Sequence, residues 1–238
     1  MFEKIIKSVS YLRTLFLDCL FPIECIGCKS DGEWFCDNCF SKIKYNDKQN
    51  CPVCKIGNLK GEVCDKCRSK TNLDGIIIAC DYGDKTISSL IKIYKYKFIK
   101  DIGESLGRIL CNYIKEHTDI ITSSDLVIIP VPLHKRRSKW RGFNQAEILS
   151  RIIACEFNIQ INTSLIKIKH TKPQAMLDRE GRLANVVGSY KWIGEKMNAK
   201  NVIMVDDVAT TGATLGECAK ELKANGAKSV WGFVIAKN

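Results

Sequence analysis

The chain has 238 residues, 45% of them apolar, with 16 Gly and 5 Pro, so it can bury a full core and is not a disordered segment. Its formal net charge of +11 indicates an anionic partner, such as nucleic acid, a phosphorylated metabolite or a membrane surface. Residues 75–238 carry 25 Lys and Arg against 16 Asp and Glu, so the anion-binding surface is expected in the C-terminal part.

The N-terminal segment, residues 1–18, is apolar but lacks the pattern of a membrane anchor. Basic residues interrupt it, and no run in the chain reaches the ~18 apolar residues that a transmembrane helix needs. Apolar residues recur there at helical spacing and form one face: Ile5, Val9, Leu12 and Phe16. The sequence therefore predicts an N-terminal docking helix, no membrane insertion and a cytoplasmic protein.

Eight of the thirteen cysteines form four CxxC pairs between residues 25 and 67. Each CxxC turn directs two sulfur atoms at one point and supplies half of a tetrahedral zinc shell. A disulfide framework would need an oxidising compartment, for which no signal-peptide pattern is present. The sequence predicts two structural zinc ions, paired most simply in sequence order, although the spacing also allows crossed pairing. The predicted ligands are Cys25, Cys28, Cys36, Cys39, Cys51, Cys54, Cys64 and Cys67.

Beyond residue 70, apolar runs typical of buried strands alternate with segments of helical periodicity. This alternation predicts an α/β fold, a parallel sheet with helices on its faces. The predicted strands are 75–82, 125–132, 201–205 and 229–236, and the predicted helices are 85–98, 101–117, 144–157 and 214–225.

The segment IKIYKYKFIK interleaves lysines with aromatic residues, a composition that can mark a nucleic-acid-binding face. Helical periodicity nevertheless explains its apolar residues as a buried stripe. The stripe leaves Lys92 and Lys95 on or beside the solvated flank of the predicted helix.

Residues 201–215, NVIMVDDVATTGATL, place two carboxylates and a hydroxyl-rich loop after a buried strand. Ligands of parallel α/β folds bind beyond the carboxyl ends of the strands, where Asp206 and Asp207 are expected. The loop leads into a helix whose free backbone N–H groups favour an anion, and Gly212 permits close approach of the backbone. The carboxylates can accept hydrogen bonds from a vicinal diol or hold magnesium. The motif therefore predicts a site for a phosphorylated sugar.

The motif VIMVDDVATTGATL resembles the phosphoribosyl pyrophosphate (PRPP) loop of type I phosphoribosyltransferases. Residues 20–238 resemble the ComF family, competence protein F-like proteins. The resemblance is carried by the four CxxC pairs, the PRPP loop and the motifs YKYKFIKDIGESLG, IIPVPLHKRR, RGFNQAEIL and TKPQAMLDREGRLANVVGSY. It implies a double zinc ribbon over residues 19–70, followed by a type I phosphoribosyltransferase domain over residues 74–238.

The resemblance also implies roles for individual residues. Asp206 and Asp207 would be catalytic and would bind the ribose 2′ and 3′ hydroxyls. The PRPP 5′-phosphate would be enclosed by Ala209, Thr210, Thr211, Gly212, Ala213 and Thr214. Pyrophosphate, or alternatively DNA, would be bound by a cationic loop of Lys135, Arg136, Arg137, Lys139 and Arg141. A flexible loop that closes over the reacting centre would contribute Lys172, Arg179 and Arg182.

Three functions stay open at this point. The first is a magnesium-dependent phosphoribosyltransferase that displaces pyrophosphate from PRPP with an acceptor that the sequence does not identify. The second is a binding module for single-stranded DNA in natural transformation, with PRPP as a ligand or a relic. The third is a regulator or scaffold whose zinc ribbons recruit a protein of the competence machinery.

Overall fold

The computed structural model describes residues 23–58, 60–96, 99–117, 119–122, 125–171 and 178–237. The predicted docking helix lies outside these residues. The chain divides into two compact units, Met1–Ile43 and Lys44–Asn238. Across the described ranges, no helix combines the length and the apolar character that crossing a bilayer requires.

The described part of the first unit contains one short helix, α1 (Asp37–Phe40), which follows directly after Cys36. The second unit contains nine strands among its described residues. They are β1 (Gln49–Asn50), β2 (Gly57–Asn58), β3 (Gly75–Asp81), β4 (Leu126–Pro130), β5 (Gln160–Ile161), β6 (Leu165–Lys167), β7 (Tyr190–Trp192), β8 (Asn201–Ala209) and β9 (Ser229–Lys237).

The helices of the second unit are α2 (Lys85–Tyr96), α3 (Ile102–His117), α4 (Lys135–Arg141), α5 (Gln145–Phe157), α6 (Arg179–Val186) and α7 (Ala213–Ala224). Two 3-10 turns, Asp65–Lys70 and Ile120–Thr122, complete its described regular structure.

Five strands form one parallel sheet in the order β3-β9-β8-β4-β5. Val202 and Met204 of β8 share a core cluster with Leu215 of α7. Ile203 and Val205 are also fully buried and alternate with them, so they face the opposite side of the sheet. Helices α3 and α5 contact the sheet as well. The predicted α/β fold, a parallel sheet with helices on both faces, is confirmed.

Helices α3 and α5 lie close together because α3 has glycine at two positions one turn apart. A Cβ atom on Gly107 would lie 2.6 Å from Ile152 of α5, and one on Gly103 would lie 2.9 Å from Ile148. These distances are shorter than a van der Waals contact, so α5 can approach only a bare backbone. The GESLG segment therefore sets the position of α5, whose N-terminus faces the cavity described below.

The segment before β3 covers the outer edge of that strand. Backbone hydrogen bonds join Ile76 to Gly61, Asp74 to Val63 and Ala79 to Asn46, at 2.8–2.9 Å. Such contacts satisfy backbone groups that an edge strand otherwise exposes. Cys51 and Cys67 also belong to the core cluster of the sheet. Residues 44–70 therefore fold together with the sheet, in the same compact unit.

Gln49 is the main side-chain contact of this covering segment. Its side chain is 3% exposed, and its Nε2 donates to the Ile78 carbonyl at 2.9 Å and to the Tyr113 hydroxyl at 2.6 Å. Its Oε1 accepts from the Ile78 amide at 3.1 Å. One amide group thus satisfies both backbone groups of an edge residue and links them to α3.

Strands β6 and β7 form a two-stranded antiparallel sheet, the β6–β7 pair, which the sequence did not predict. Two carboxylates of α7 anchor its surroundings: Glu217 accepts from the Gly188 amide at 2.8 Å, and Glu221 accepts from the Trp192 amide at 2.9 Å. The pair brings Lys167 and Tyr190 to the carboxyl edge of the main sheet.

Substitution of Gln49 by Ala is expected to lower the free energy of unfolding by about 2–3 kcal/mol, because the partly buried Ile78 amide loses its acceptor and the buried amide of Gln49 leaves a cavity. Urea denaturation of the purified chain measures this loss. Lys48→Ala, at the exposed neighbouring position, is the matched control and should change stability little. Equal effects of the two substitutions would contradict the role assigned to Gln49.

Candidate functional site

A cavity of about 370 Å³ opens at the carboxyl edge of the sheet. Its wall is formed by the segment after β4, the end of β8, the first turn of α7, helices α2 and α4, and the β6–β7 pair. Ligands of parallel α/β sheets bind at this edge.

The acid pair and most of the predicted phosphate loop line this cavity. They are Asp206, Asp207, Ala209, Thr210, Gly212, Ala213 and Thr214. Thr211 is outside the lining, and its hydroxyl accepts a hydrogen bond from the Ala213 amide at 3.3 Å. Gly212 precedes α7 in a left-handed conformation, with φ of 77°, which glycine adopts without strain. The N-terminal N–H groups of α7 consequently begin at the cavity wall, a favourable position for an anion.

The acid pair lies within β8 and not beyond it. Pairing with β9 continues to Ala209, three residues past Asp206. Asp206 is half-buried, and Asp207 is only 5% exposed. The Asp207 amide donates to Asp206 Oδ1 at 2.9 Å. The carboxylates are therefore held by sheet hydrogen bonding, which fixes their position more firmly than a loop would.

Lys95 is a site residue that the sequence did not predict. Its Nζ lies 2.8 Å from Asp207 Oδ1, and the two side chains are 23% and 7% exposed. Periodicity placed Lys95 on or beside the solvated flank of α2, but the helix ends against the cavity and its last turn directs the ammonium inward. The one available signal was the position of Lys95 directly after Tyr94, a member of the buried stripe.

Burial and the second carboxylate make the acid pair electrostatically unusual. The pKa of Asp206 is raised to about 7. Desolvation is the larger cause and repulsion from Asp207 the second, while the positive charge of Lys95 acts in the opposite direction. Burial lowers the pKa of Lys95, but the Asp207 carboxylate outweighs it, and the net change is upward. The cavity thus holds one carboxylate, Asp207, that is paired with a cation, and a second, Asp206, whose negative charge is only partly balanced.

The predicted cationic loop is a helix, α4, preceded by His134, whose Nδ1 accepts from the Arg136 amide at 3.3 Å. Arg137 and Arg141 are four residues apart, share one helix face and line the cavity. The remaining cations are exposed and outside the lining: Lys135, Arg136 and Lys139. The expected cluster is therefore divided into an inward pair and an outward group.

The inward arginines are held by neighbouring groups. Arg141 Nη1 donates to Gln145 Oε1 at 2.7 Å, and Arg137 Nη2 donates to the Thr171 carbonyl at 3.4 Å. Burial lowers the pKa of Arg141, and burial together with Arg137 lowers the pKa of Lys167. Both shifts reflect positive charges that crowd a partly desolvated space and that an anion would stabilise.

Six cationic side chains and two carboxylates line the cavity among the residues that the structure describes. The cations are Lys92, Lys95, Arg137, Arg141, Lys167 and Arg182. Arg182, which was predicted in the flexible loop, lies in helix α6 and reaches the cavity. Lys172 and the Arg179 side chain lie outside the described part of the chain. The excess of positive charge suits a ligand with several negative charges.

The eight predicted cysteine ligands form two groups of four, in sequence order, and within each group all sulfur atoms lie within 4.8 Å of one another. Cys25 and Cys28 each lie 3.6 Å from Cys36, measured between sulfurs, and Cys54 lies 3.7 Å from Cys64. A tetrahedral shell with Zn–S bonds of about 2.3 Å separates its sulfurs by about 3.8 Å. Both groups are compatible with structural zinc.

The two acids should affect stability in opposite directions. At about pH 8, we expect Asp206→Asn to raise the free energy of unfolding of the ligand-free protein by about 1–2 kcal/mol and Asp207→Asn to lower it by a similar amount. The first removes a poorly compensated charge, whereas the second deprives Lys95 of its counter-ion.

The pH dependence follows from the raised pKa of Asp206. A group with a raised folded-state pKa contributes stability below its unfolded pKa and loses that contribution as the pH rises through its folded value, about 7 for Asp206. The gain from Asp206→Asn should therefore grow between about pH 4 and pH 8 and then level off. Urea denaturation over this pH range measures it, and a pH-independent difference would contradict the assigned pKa.

Several known proteins are similar in sequence to most of this chain. Competence protein F of Haemophilus influenzae is 31% identical over 221 residues, which cover 89% of this chain and 90% of the relative. DNA utilization protein YhgH of Escherichia coli K12 is 30% identical, over 84% of this chain and 88% of the relative. Competence protein ComFC of Bacillus subtilis is 26% identical, over 87% of this chain and 85% of the relative. No family model matches the chain.

The similar solved structures include two phosphoribosyl-related enzymes. One is glutamine PRPP amidotransferase from B. subtilis, at 17% identity and a TM-score of 0.39, covering 60% of this chain and 30% of that one. The other is purine phosphoribosyltransferase from Pyrococcus horikoshii, at 14% identity and a TM-score of 0.34, covering 57% of this chain and 82% of that one. These scores are low, so the assignment depends on the sequence relatives. With about 30% identity along almost the full length of competence protein F and YhgH, the chain belongs to the ComF family of competence and DNA utilization proteins.

Proposed function

We propose that the chain is a phosphoribosyltransferase that binds PRPP, or a related ribose 5-phosphate, with magnesium and transfers the phosphoribosyl group to a nitrogen nucleophile. The observation that carries this proposal is the convergence on one cavity of an acid pair, a helix N-terminus with hydroxyl groups, and two inward arginines. The names of the relatives support a link to DNA uptake in natural transformation.

The 5′-phosphate belongs at the first turn of α7. Backbone N–H groups at a helix N-terminus attract an anion, and the hydroxyls of Thr210 and Thr214 line the same wall. Ala213 is 7% exposed, so water is largely excluded behind this turn. Both features strengthen electrostatic contacts to a phosphate.

The ribose belongs against Asp206 and Asp207, whose oxygens can accept hydrogen bonds from two neighbouring hydroxyls. Carboxylate oxygens are also the ligands that magnesium prefers, so the donor set fits this ion. When bound, magnesium would neutralise charge on the departing pyrophosphate. Arg137, Arg141 and Lys167 would bind the pyrophosphate itself, because they supply the excess positive charge in the cavity.

The reaction breaks the bond between the ribose anomeric carbon and a pyrophosphate oxygen and forms a bond from that carbon to the acceptor nitrogen, which loses a proton. Positive charge develops on the sugar ring as the leaving group departs. The carboxylates of Asp206 and Asp207 would stabilise this charge, while the arginines stabilise the pyrophosphate. We place Arg182, with Lys172 and Arg179, in a lid that would exclude water during the reaction.

We further propose that a double zinc ribbon over residues 19–70 precedes a phosphoribosyltransferase domain over residues 74–238 in a cytoplasmic protein. Each group of four cysteines would hold one zinc ion in a structural role, because four thiolates leave no open position for a substrate. The second ion would stabilise the segment that covers the β3 edge.

Calorimetric titration with PRPP and magnesium tests the proposed ligand. Wild-type protein should bind, and Asp207→Asn should abolish binding because the ribose and the metal both need this carboxylate. Replacing both Arg137 and Arg141 by Ala should weaken binding at least about tenfold, since each contributes a charge-assisted hydrogen bond worth about 1.5–3 kcal/mol. The matched control, Lys135→Ala plus Lys139→Ala, removes two cations of the same helix that lie outside the cavity.

Product formation tests catalysis separately from binding. Incubation with PRPP, magnesium and candidate nitrogen acceptors should release pyrophosphate, and this release should depend on Asp206 and Asp207. Release that persists in Asp207→Asn would contradict the proposed mechanism.

A second candidate function, binding of single-stranded DNA, is favoured by the outward side of α4. Lys135, Arg136 and Lys139 are exposed there, next to Trp140, which is 63% exposed. Lysines and arginines beside an aromatic face are typical of contacts to single strands, where phosphates and stacked bases alternate.

The division of α4 makes the two functions separable. Replacing Lys135, Arg136 and Lys139 by Ala should weaken oligonucleotide binding and reduce its salt slope by about 2, because each phosphate that is no longer neutralised lowers the slope by about 0.7. PRPP binding should change little. Fluorescence anisotropy with a labelled single strand at several salt concentrations measures the effect, and unchanged DNA binding would exclude this face as the binding surface.

A further inference from the structure

Lys95 places its ammonium group directly against Asp207 of the acid pair. We infer that Lys95 is a specificity-determining residue that excludes free divalent metal from the acid pair, so that the cavity accepts the metal only together with the phosphorylated sugar. The inference deepens the proposed function and rests on it for the identity of that sugar.

The ammonium group of Lys95 already uses an oxygen atom that a metal ion would need. Its Nζ lies 2.8 Å from Asp207 Oδ1, and the Asp207 side chain is almost fully enclosed. An ammonium group at this distance donates to one lone pair of that oxygen and places a positive charge beside both carboxylates. A divalent cation that uses both carboxylates is therefore repelled by this charge unless Lys95 turns away.

The helix that carries Lys95 is held rigidly beside the cavity. The preceding residue, Tyr94, is fully buried, and its hydroxyl donates to the Gln145 carbonyl at 3.1 Å. Its ring also lies 5.5 Å from that of Phe143, between centroids. The backbone of α2 is thus anchored to the start of α5. With Tyr94 anchored, Lys95 can leave Asp207 by turning its own side chain.

The charge of the surroundings opposes a bare metal ion. Six cationic side chains and two carboxylates line the cavity in the described part of the chain, and one carboxylate already holds Lys95. A bare divalent cation meets net repulsion in this space. A metal bound to a pyrophosphorylated sugar arrives with net negative charge, so the same cations attract it. The released ammonium of Lys95 then has phosphate oxygens as new partners within the same cavity.

Manganese binding in the absence of any sugar phosphate tests this inference. The probe is Mn²⁺ alone, measured by electron paramagnetic resonance at about pH 8, above the raised pKa of Asp206, about 7. Lys95→Met, which removes the charge and keeps the length, should increase the affinity for Mn²⁺ at least about tenfold over wild type. Asp207→Asn gives the baseline for Mn²⁺ bound elsewhere on the zinc-loaded chain.

Two further variants separate this ion pair from general effects. Lys85→Met removes one charge from the exposed start of the same helix and should leave Mn²⁺ affinity unchanged. Lys95→Arg keeps the charge and should keep the metal out. Addition of PRPP should raise Mn²⁺ affinity strongly in wild type, and this increase should be about tenfold smaller in Lys95→Met.

The outcomes distinguish the inference from the function on which it rests. Unchanged or weaker Mn²⁺ binding by Lys95→Met overturns the inference, even if wild-type protein binds PRPP. Tighter Mn²⁺ binding by Lys95→Met in a protein that does not bind PRPP confirms the exclusion of free metal and overturns the proposed sugar.

Discussion

The burial of two adjacent carboxylates in the central strand of the sheet is the constraint on which the rest of this site depends. Two ionised groups side by side in a partly desolvated space repel one another, and each loses hydration. The fold compensates one of them directly, through Lys95, and leaves Asp206 with a raised pKa. Helix α2, the inward face of α4 and the β6–β7 pair each place a cation beside this strand end.

The empty cavity lowers stability, because it is crowded with positive charge and holds one poorly compensated carboxylate. The proposed polyanionic sugar would offset the repulsion among the cations, and its hydroxyl groups or a metal ion would compensate the carboxylate. The large apolar core around β8 and β9 tolerates the cost, since both faces of β8 are buried. Functional sites commonly have such local destabilisation, supported by the stability of the remaining fold.

The sequence predicted what is local and missed what depends on tertiary position. The parallel sheet was readable from the alternation of apolar runs with helical periodicity beyond residue 70. The acid pair and the helix N-terminus were readable from the short run of residues 201–215. The inward direction of Arg137 and Arg141 was not, because it requires α4 to be a helix with a particular rotation about its axis. Lys95 was missed for a similar reason: periodicity identifies the buried stripe but not a cavity at the helix end. Strands β6 and β7 have three residues each, too few for a periodic signal.

The cover over β3 has a consequence for how the chain behaves among its own copies. An uncovered edge strand offers unpaired N–H and C=O groups to any other extended chain, and β3 is an almost continuous apolar run. The second group of cysteines lies in the segment that occupies this edge, and Cys51 and Cys67 are part of the core beneath it. Loss of the proposed zinc ion from this group would loosen the covering segment and expose a template for intermolecular strand pairing, so that the chain would self-associate in a concentration-dependent way.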